Sequence, residues 1–198
     1  MHSTMFRHPS LRSFSKATLL FFSASMSCFT LASELDFRLS NDAVNVNFAS
    51  SSDSSPLSIG LGHFYRDEGD AINITNLDIH TVGQTAIGNL PTTVLLGMQA
   101  VYMSEDKFKG SATAIGGTVR SNLPDTPGLS LEGTVYYAPD ILSYGDSDSY
   151  ARARAQLNYR VIENADLIGG YRYLRTGIKD AGHRTFESGV YIGLRMNF

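Results

Sequence analysis

Apolar and polar residues alternate with a period of two along much of this chain from residue 33 onward. The stretch from Ala151 to Val161, ARARAQLNYRV, shows this most clearly: its odd positions are all apolar, and three of its five even positions are arginine. A period of two is the pattern of a β-strand whose two faces meet different surroundings. Similar alternation recurs at residues 35–39, 44–48, 57–65, 94–102, 129–137, 167–173 and 190–198. No window after residue 33 shows the three- and four-residue spacing of an amphipathic helix, so the pattern predicts an all-β chain.

Two segments depart from this alternation. In AINITNLDIHTV, residues 71–82, the apolar positions begin on Ile72 and shift by one position to Leu77. Such a shift indicates a β-bulge, which we place near Asn76. Segment 111–119, SATAIGGTV, has small residues on both faces, so its sides cannot be assigned.

The N-terminal residues have the features of a targeting segment. Basic residues up to Lys16 precede the apolar stretch ATLLFFSASMSCFTLA, residues 17–32. This stretch has 16 residues, whereas a membrane-spanning helix needs about 20. We therefore predict a signal peptide over residues 1–32, cleaved after Ala32, and one mature domain over residues 33–198.

Composition narrows the class of protein further. The chain has 198 residues, a net charge of -3 and a pI near 5.9, which argue against a nucleic-acid partner. Charged residues make up 18% of the chain, below the roughly 25% of a soluble domain. Cys28, the only cysteine, lies in the predicted signal peptide, so disulfides cannot staple the mature chain.

Alternation alone fits either a soluble β-sandwich or a transmembrane β-barrel. The signal peptide favours the barrel, because it sends the chain out of the cytoplasm. The segments also run about ten residues, the length that crosses a bilayer at a tilt. A backbone in lipid must pair every N–H and C=O internally, so the barrel must be closed.

The number of strands follows from the expectation that a bacterial barrel has an even number of them. Nine segments lie between Asp42 and Phe198, and residues 34–40 can supply a first crossing that turns at Asn41. This predicts an antiparallel barrel of ten strands, an even number as in bacterial barrels. The alternative has eight strands, with an early segment outside the wall.

Several motifs resemble the YfaZ family of outer-membrane proteins. They are VYYAPD (135–140), GGYRYL (169–174), KDAG (179–182) and the alternating end on Phe198. The resemblance implies a small barrel of undetermined role in the outer membrane of a Gram-negative cell. It also implies outer-membrane lipid and lipopolysaccharide as surroundings, with periplasmic chaperones and the barrel-assembly machinery as partners.

The last strand resembles the signal by which outer-membrane barrels are recognised for assembly, an alternating strand with a terminal aromatic residue. Its apolar positions are Val190, Ile192, Leu194, Met196 and Phe198. The oligomeric state stays open at this stage.

The polar face of the predicted strands is rich in charge. The predicted lumen-lining residues are Arg38, Glu132, Arg152, Arg154, Arg160, Arg172 and Arg195, with Asp36 beside them. Glu132 and Arg154 fall roughly opposite each other across one hairpin. These charges either form internal ion pairs that fill a narrow lumen or make a cationic constriction that favours anions.

Tyrosines on the apolar face lie towards the strand ends that lead into the longer loops. They are Tyr65, Tyr102, Tyr137, Tyr171 and Tyr173. In a barrel this position predicts the aromatic girdle at the membrane interface.

The sequence offers little sign of catalysis. The mature chain has three histidines: His63 on the lipid face, His80 beside the predicted bulge and His183 in a loop. No spacing joins them to a serine and an acid, and we predict no catalytic, metal or cofactor site. The sequence therefore predicts a barrel with a structural role and a charged, largely filled lumen. The alternatives are a narrow anion-favouring channel and, less favoured, an outer-membrane enzyme.

Overall fold

The computed structural model describes residues 31–52, 55–67, 71–106, 108–179 and 181–198. Within these ranges the strands are β1 (Leu31–Leu39), β2 (Ala43–Ser52), β3 (Ser55–Arg66), β4 (Ile72–Ile87), β5 (Leu90–Glu105), β6 (Phe108–Asn122), β7 (Leu129–Ala138), β8 (Ser143–Gly145), β9 (Ser147–Ile162), β10 (Ala165–Ile178) and β11 (Gly182–Asn197). A 3-10 turn at Asp140–Leu142 precedes β8. Among the described residues, no helix is long and apolar enough to cross a membrane.

The predicted signal peptide lies almost wholly outside the described residues, which begin at Leu31. Leu31 and Ala32 already belong to β1, where they pair with Ser52 and Ser51 of β2. Cleavage after Ala32 stays a prediction, and it would remove two residues from the start of β1.

Ten of the described strands close into one antiparallel ring. Each wall strand pairs with the next along the chain, β7 pairs with β9, and β1 closes the ring on β11. At the closure Phe37 lies opposite Leu194, and Ser33 and Phe198 exchange backbone hydrogen bonds of 2.8 and 3.2 Å. The short strand β8 lies beside β6 and is not part of the ring. The ten-stranded antiparallel barrel predicted from the sequence is therefore confirmed.

The barrel has two distinct ends. At one, which we call the termini end, β1 begins, β11 finishes and turns such as residues 88–89 and 163–164 connect the strands. At the other, the loop end, lies the connection of residues 139–146, which contains the 3-10 turn and β8.

The two faces of the wall strands differ as the alternation predicted. In β9, Leu157 is 49% exposed on the outer surface, whereas Asn158 beside it is 1% exposed in the interior. Other large apolar side chains exposed on the outer face are Phe37, Phe48, Leu61, Leu77, Met98, Leu131, Val135, Ile192 and Leu194. The exterior is thus a nearly continuous apolar surface, and the buried arginines lie inside.

The loop end of the interior holds a large group of apolar side chains beside buried polar ones such as Glu105 and Thr176, and the sequence pattern did not predict this group. Buried side chains from nine of the ten wall strands meet there in what we call the apolar cluster. Its members are Ala43, Phe64, Ile72, Ile74, Val101, Met103, Phe108, Ala112, Ala114, Tyr136, Ala138, Tyr150, Leu174 and Phe186. The rings of Phe108 and Phe186 pack edge to face at 5.7 Å. In narrow barrels the inward side chains occupy the interior, and here side chains from most of the wall meet at this level of the lumen.

The bulge predicted near Asn76 is wrong. The register of β4 with β3 and β5 runs unbroken through this residue, and Ile72, Ile74, Asn76 and His80 all face the interior. The inward face itself changes from apolar to polar as the strand passes from the apolar cluster into the charged half of the lumen. The bulge was predicted because this change in the polarity of the inward face resembles a change in which residues face inward.

A bulge does occur at the loop end of β11. The register between β10 and β11 shifts at Leu174 and Arg175, so that Phe186 is an extra residue opposite them. As a result Phe186 and Glu187, which are consecutive, are both buried. The bulge adds a phenyl ring to the apolar cluster and a carboxylate to the polar interior below it.

Truncation of Phe186 tests whether the apolar cluster is packed as tightly as a protein core. We expect Phe186→Ala to lower the free energy of unfolding by about 3–5 kcal/mol, because it leaves a cavity that neighbouring side chains cannot fill. Urea titration of the folded barrel in lipid vesicles measures this change.

Val190→Ala is the matched control, because Val190 lies on the same strand and is 71% exposed on the outer face. Lipid can fill the space that it leaves, so only the transfer of two methylene equivalents is lost, at about 0.8 kcal/mol each. Equal losses from the two substitutions would show that the loop end of the lumen is not a packed core.

Candidate functional site

Glu132 on β7 is the centre of an ion-pair network in the half of the lumen nearer the termini end. Its side chain is 1% exposed. It accepts hydrogen bonds from Arg120 on β6 at 2.9 Å, from Arg154 on β9 at 2.7 Å and from Arg195 on β11 at 2.8 Å. Three guanidinium groups thus share one buried carboxylate, and the predicted proximity of Glu132 and Arg154 is confirmed.

Arg195 joins this carboxylate to a second one across the lumen. Its Nε and Nη2 atoms donate to the two carboxylate oxygens of Asp36 on β1, at 2.6 and 2.9 Å. Arg38, two residues further along β1, also donates to Asp36 and to the side chain of Asn45. Because Arg195 contacts both β1 and β7, it connects opposite parts of the wall as well as neighbouring strands.

The network reaches solvent at the termini end. There Arg120 donates two hydrogen bonds to Glu34, at 3.1 and 3.2 Å, and both side chains are partly exposed. Arg195 also lies 3.0 Å from Glu34. This Glu34–Arg120 pair therefore forms the outer edge of the charged interior.

Arg172 occupies a level closer to the apolar cluster. It donates to Glu187 at 3.3 Å, and its guanidinium lies over the ring of Phe64, 4.5 Å from the centroid. A cation over an aromatic face is attracted by the ring quadrupole. Arg172 thus links the polar and apolar halves of the lumen.

Arg160 does not line the lumen, which corrects the sequence prediction. Its side chain is 61% exposed beside the turn between β9 and β10, where it lies 3.6 Å from Asp166. Arg160 has the parity of an inward residue, but it is two residues from the end of β9. An odd or even position along a strand indicates which face a residue is on. It does not indicate how far the residue lies from the end of the barrel.

Several interior charges were missed from the sequence. Arg120 follows the small-residue segment whose sides could not be assigned, and Glu187 follows the bulge at Phe186. Asp78, which accepts a hydrogen bond from Gln99 at 2.6 Å, lies on β4, where the sequence wrongly predicted a bulge. Continuing the alternation through residues 112, 114, 116, 118 and 120 would have placed Arg120 inside.

His80 and Tyr136 meet in the interior across two glycines. The four residues His80, Gly97, Gly116 and Tyr136 form one row across β4 to β7, and His80 Nε2 hydrogen-bonds to the hydroxyl of Tyr136. A Cβ atom at Gly97 would lie 2.0 Å from the carbonyl oxygen of Ile79. Glycine is therefore required at this close approach of the backbone beneath the contact.

The structure keeps the three histidines apart. His63 is on the outer face, with Nδ1 3.1 Å from the hydroxyl of Thr75, whereas His183 is exposed at the loop end. Among the described residues, no group of three or more histidine, cysteine or acidic side chains could hold a metal ion.

A polar cavity of about 100 Å³ lies among these charges, between the Glu34–Arg120 pair and the apolar cluster. The charged side chains that line it are Glu34, Asp36, Arg38, Asp78, Arg120, Glu132, Arg152, Arg154 and Arg195. Four of the predicted lumen arginines, Arg38, Arg152, Arg154 and Arg195, thus meet around one space.

The predicted girdle tyrosines have outward positions. Tyr65, Tyr102, Tyr137 and Tyr171 are exposed, and Tyr173 is partly buried. Tyr171 hydrogen-bonds to Ser188 at 2.7 Å. The predicted assembly residues also face outward and are exposed: Val190, Ile192, Leu194, Met196 and Phe198. The interfacial and assembly roles of these two sets stay predictions.

Neutralising Glu132 tests the ion-pair network. We expect Glu132→Gln to lower the free energy of unfolding by about 3–5 kcal/mol, because it leaves buried guanidinium groups without their shared counter-charge. Asp166→Asn is the control: Asp166 pairs only at 3.6 Å with an exposed arginine and should cost under about 1 kcal/mol. Urea unfolding in lipid vesicles compares them, and a tolerated Glu132→Gln would contradict the central role of this carboxylate.

Solved structures with similar folds include several outer-membrane proteins. The outer membrane protease OmpT from Escherichia coli is 12% identical over 85% of this chain and 93% of its own, with a TM-score of 0.47. The outer membrane channel DcaP of Acinetobacter baumannii is 11% identical over 82% of this chain and 54% of its own, with a TM-score of 0.38. An anion-selective porin from Comamonas acidovorans is 17% identical over 79% of this chain and 49% of its own, with a TM-score of 0.33. At such identities and scores, the likeness carries no inference about activity.

A comparison with curated protein sequences finds no match. The family model described as YfaZ precursor, in contrast, matches residues 11–198, nearly the whole chain. This match agrees with the motifs at residues 135–140 and 169–174, which lie at the end of β7 and on β10. It also covers the motif at residues 179–182, in which residue 180 lies outside the described residues. The chain belongs to the YfaZ family.

Proposed function

We propose that this protein is an integral barrel of the outer membrane with a structural role and a lumen through which solutes do not pass. The apolar cluster supports this proposal, because side chains from nine wall strands meet at the loop end of a ten-stranded ring. Towards the termini end, the ion pairs centred on Glu132 and Asp36 extend across the lumen. Open channels belong to barrels of about 16 to 18 strands, whereas narrow barrels are filled by their side chains.

The outer surface supports the membrane location. Its exposed apolar side chains come from all sides of the ring, including Phe48 on β2, Leu77 on β4, Leu131 on β7 and Ile192 on β11. Soluble monomers rarely expose apolar patches larger than a few hundred Å². Lipid is the solvent that matches this surface, with the tyrosines towards the loop end at the lipopolysaccharide interface.

The alternative function is a narrow channel that favours anions. The arginines around the polar cavity favour it, because a ring of guanidinium groups lowers the barrier for an anion. Conduction would require the apolar cluster to open a path at the loop end. We infer no enzymatic role, because among the described residues no hydrogen bond joins His63, His80 or His183 to a carboxylate.

Conductance separates the two functions. We expect the purified protein in planar lipid bilayers to show no steady ion current, since a hydrated ion would have to pass the apolar cluster. Heat-dependent migration on gels confirms that the inserted protein is folded, and a reconstituted porin serves as the positive control. A steady current that falls in the Arg152→Gln/Arg154→Gln variant would establish the channel instead.

We also propose that the outward face of β11 is the feature that the assembly machinery binds. Phe198 supports this proposal, because it is exposed at the termini end and closes the ring on Ser33 only through its backbone. A side chain at this position is therefore free to contact a partner before lipid covers it.

Phe198→Ala tests this role. We expect several-fold less folded protein in the outer-membrane fraction, because the substitution removes the terminal ring and keeps the backbone bonds that close the barrel. Tyr159→Ala is the control, since Tyr159 is an exposed aromatic residue near the same end of β9. Equal yields of the two variants on immunoblots would contradict the role of the terminal residue.

A further inference from the structure

The guanidinium groups around the polar cavity are unevenly satisfied. Arg120 and Arg195 direct their bonds to the carboxylates of Glu34, Asp36 and Glu132. Three other arginines also line the cavity: Arg38, Arg152 and Arg154. Each has an N–H donor that the hydrogen bonds among the described residues do not use. This second group of arginines is the basis of the inference.

Each of these three arginines has a buried donor without an acceptor. Within the part of the chain that the structure describes, the Nε atoms of Arg38, Arg152 and Arg154 have no hydrogen-bond partner. Their side chains are only 1%, 8% and 9% exposed. Buried donors in native proteins are normally satisfied, so three such atoms around one cavity call for an acceptor that enters it.

The charge around the cavity also leaves a positive surplus. Among its described lining residues there are five arginines and four carboxylates. Among the described residues, Arg152 forms no ion pair within 4 Å, although the carboxylate of Asp78 lies in the same cavity lining. A buried guanidinium without a paired carboxylate is costly unless an anion joins it.

We propose that the polar cavity binds one small oxyanion, of the size and charge of phosphate or sulfate, against Arg38, Arg152 and Arg154. The planar fork of a guanidinium matches the oxygen spacing of such ions, and charge-assisted bonds to them are strong. The cavity of about 100 Å³ has room for roughly three water molecules, since each takes about 30 Å³ in the liquid. One free oxyanion fits this space, and we expect a phosphate ester with a bulkier tail to bind it more weakly.

We place the opening of the cavity at the termini end. The partly exposed Glu34–Arg120 pair lines the cavity on that side, and the apolar cluster lies on the other. This inference goes beyond the proposed structural role, and binding in the cavity does not depend on whether the barrel conducts.

Titration of the folded full chain in detergent tests the inference by calorimetry. The ligands are inorganic phosphate and sulfate, with chloride at equal ionic strength as the reference and glycerol phosphate as a bulkier phosphate ester. We expect saturable binding of one phosphate or sulfate per chain, at least tenfold tighter than glycerol phosphate. Equal binding of glycerol phosphate would assign the site to a larger phosphate-bearing molecule, such as a lipid headgroup, and overturn the free-ion proposal.

Arg152→Gln is the decisive variant, with Arg160→Gln as its matched control. Both arginines are on β9, but Arg160 is exposed beside the turn and outside the cavity. We expect Arg152→Gln to weaken phosphate binding at least tenfold, Arg160→Gln to leave it unchanged and Arg152→Lys to retain part of it. Absence of saturable binding in the wild-type chain, or equal binding by the Arg152→Gln and Arg160→Gln variants, would overturn the proposal.

The wild-type titration tests phosphate binding even if a variant does not fold. The bilayer current tests separately whether ions pass through the lumen.

Discussion

A β-sheet in contact with lipid cannot leave a strand edge unpaired, and this constraint determines the rest of the structure. Backbone groups in hydrocarbon must be bonded within the protein, so the wall has to close. Here the closure is the antiparallel pairing of β1 with β11. Once ten strands are joined in a ring, alternate residues of each strand are committed to the interior. The interior is then too narrow to remain empty, and its side chains must satisfy one another.

The interior meets this demand in two different ways along the barrel axis. At the loop end the apolar cluster fills the lumen by packing, as in the core of a soluble protein. Towards the termini end, arginines and carboxylates fill it by ion pairing, with Arg195 bonded to both Asp36 and Glu132. Buried charges are tolerated there because each carboxylate has more than one donor. Where the donors outnumber the acceptors, a polar cavity remains, and the proposed oxyanion site occupies it.

The sequence predicted the wall of this barrel well and its contents only in part. Strict alternation in β9 and β11 was enough to give the sides of the wall, and parity was enough to give ten strands. Alternation reports which side a residue faces and not its depth along the axis. For that reason Arg160 was placed in the lumen although it lies at its edge, and the inward Ile72 was taken as the sign of a bulge. The contact between Glu132 and Arg195 joins strands separated along the ring, so it depends on closure and has no local pattern in the sequence.

The central claim is that outward residues face lipid while inward residues lie in a filled interior. Single-cysteine variants test it on β9, because the natural Cys28 lies in the predicted signal peptide. Spin labels at Gln156→Cys, Leu157→Cys, Asn158→Cys and Tyr159→Cys would be compared for collisions with oxygen, which dissolves in lipid, and with a water-soluble nickel chelate. We expect strong oxygen accessibility at positions 157 and 159 and little access for either reagent at 156 and 158. Strong nickel accessibility at 156 and 158 would show a water-filled lumen and contradict a filled interior.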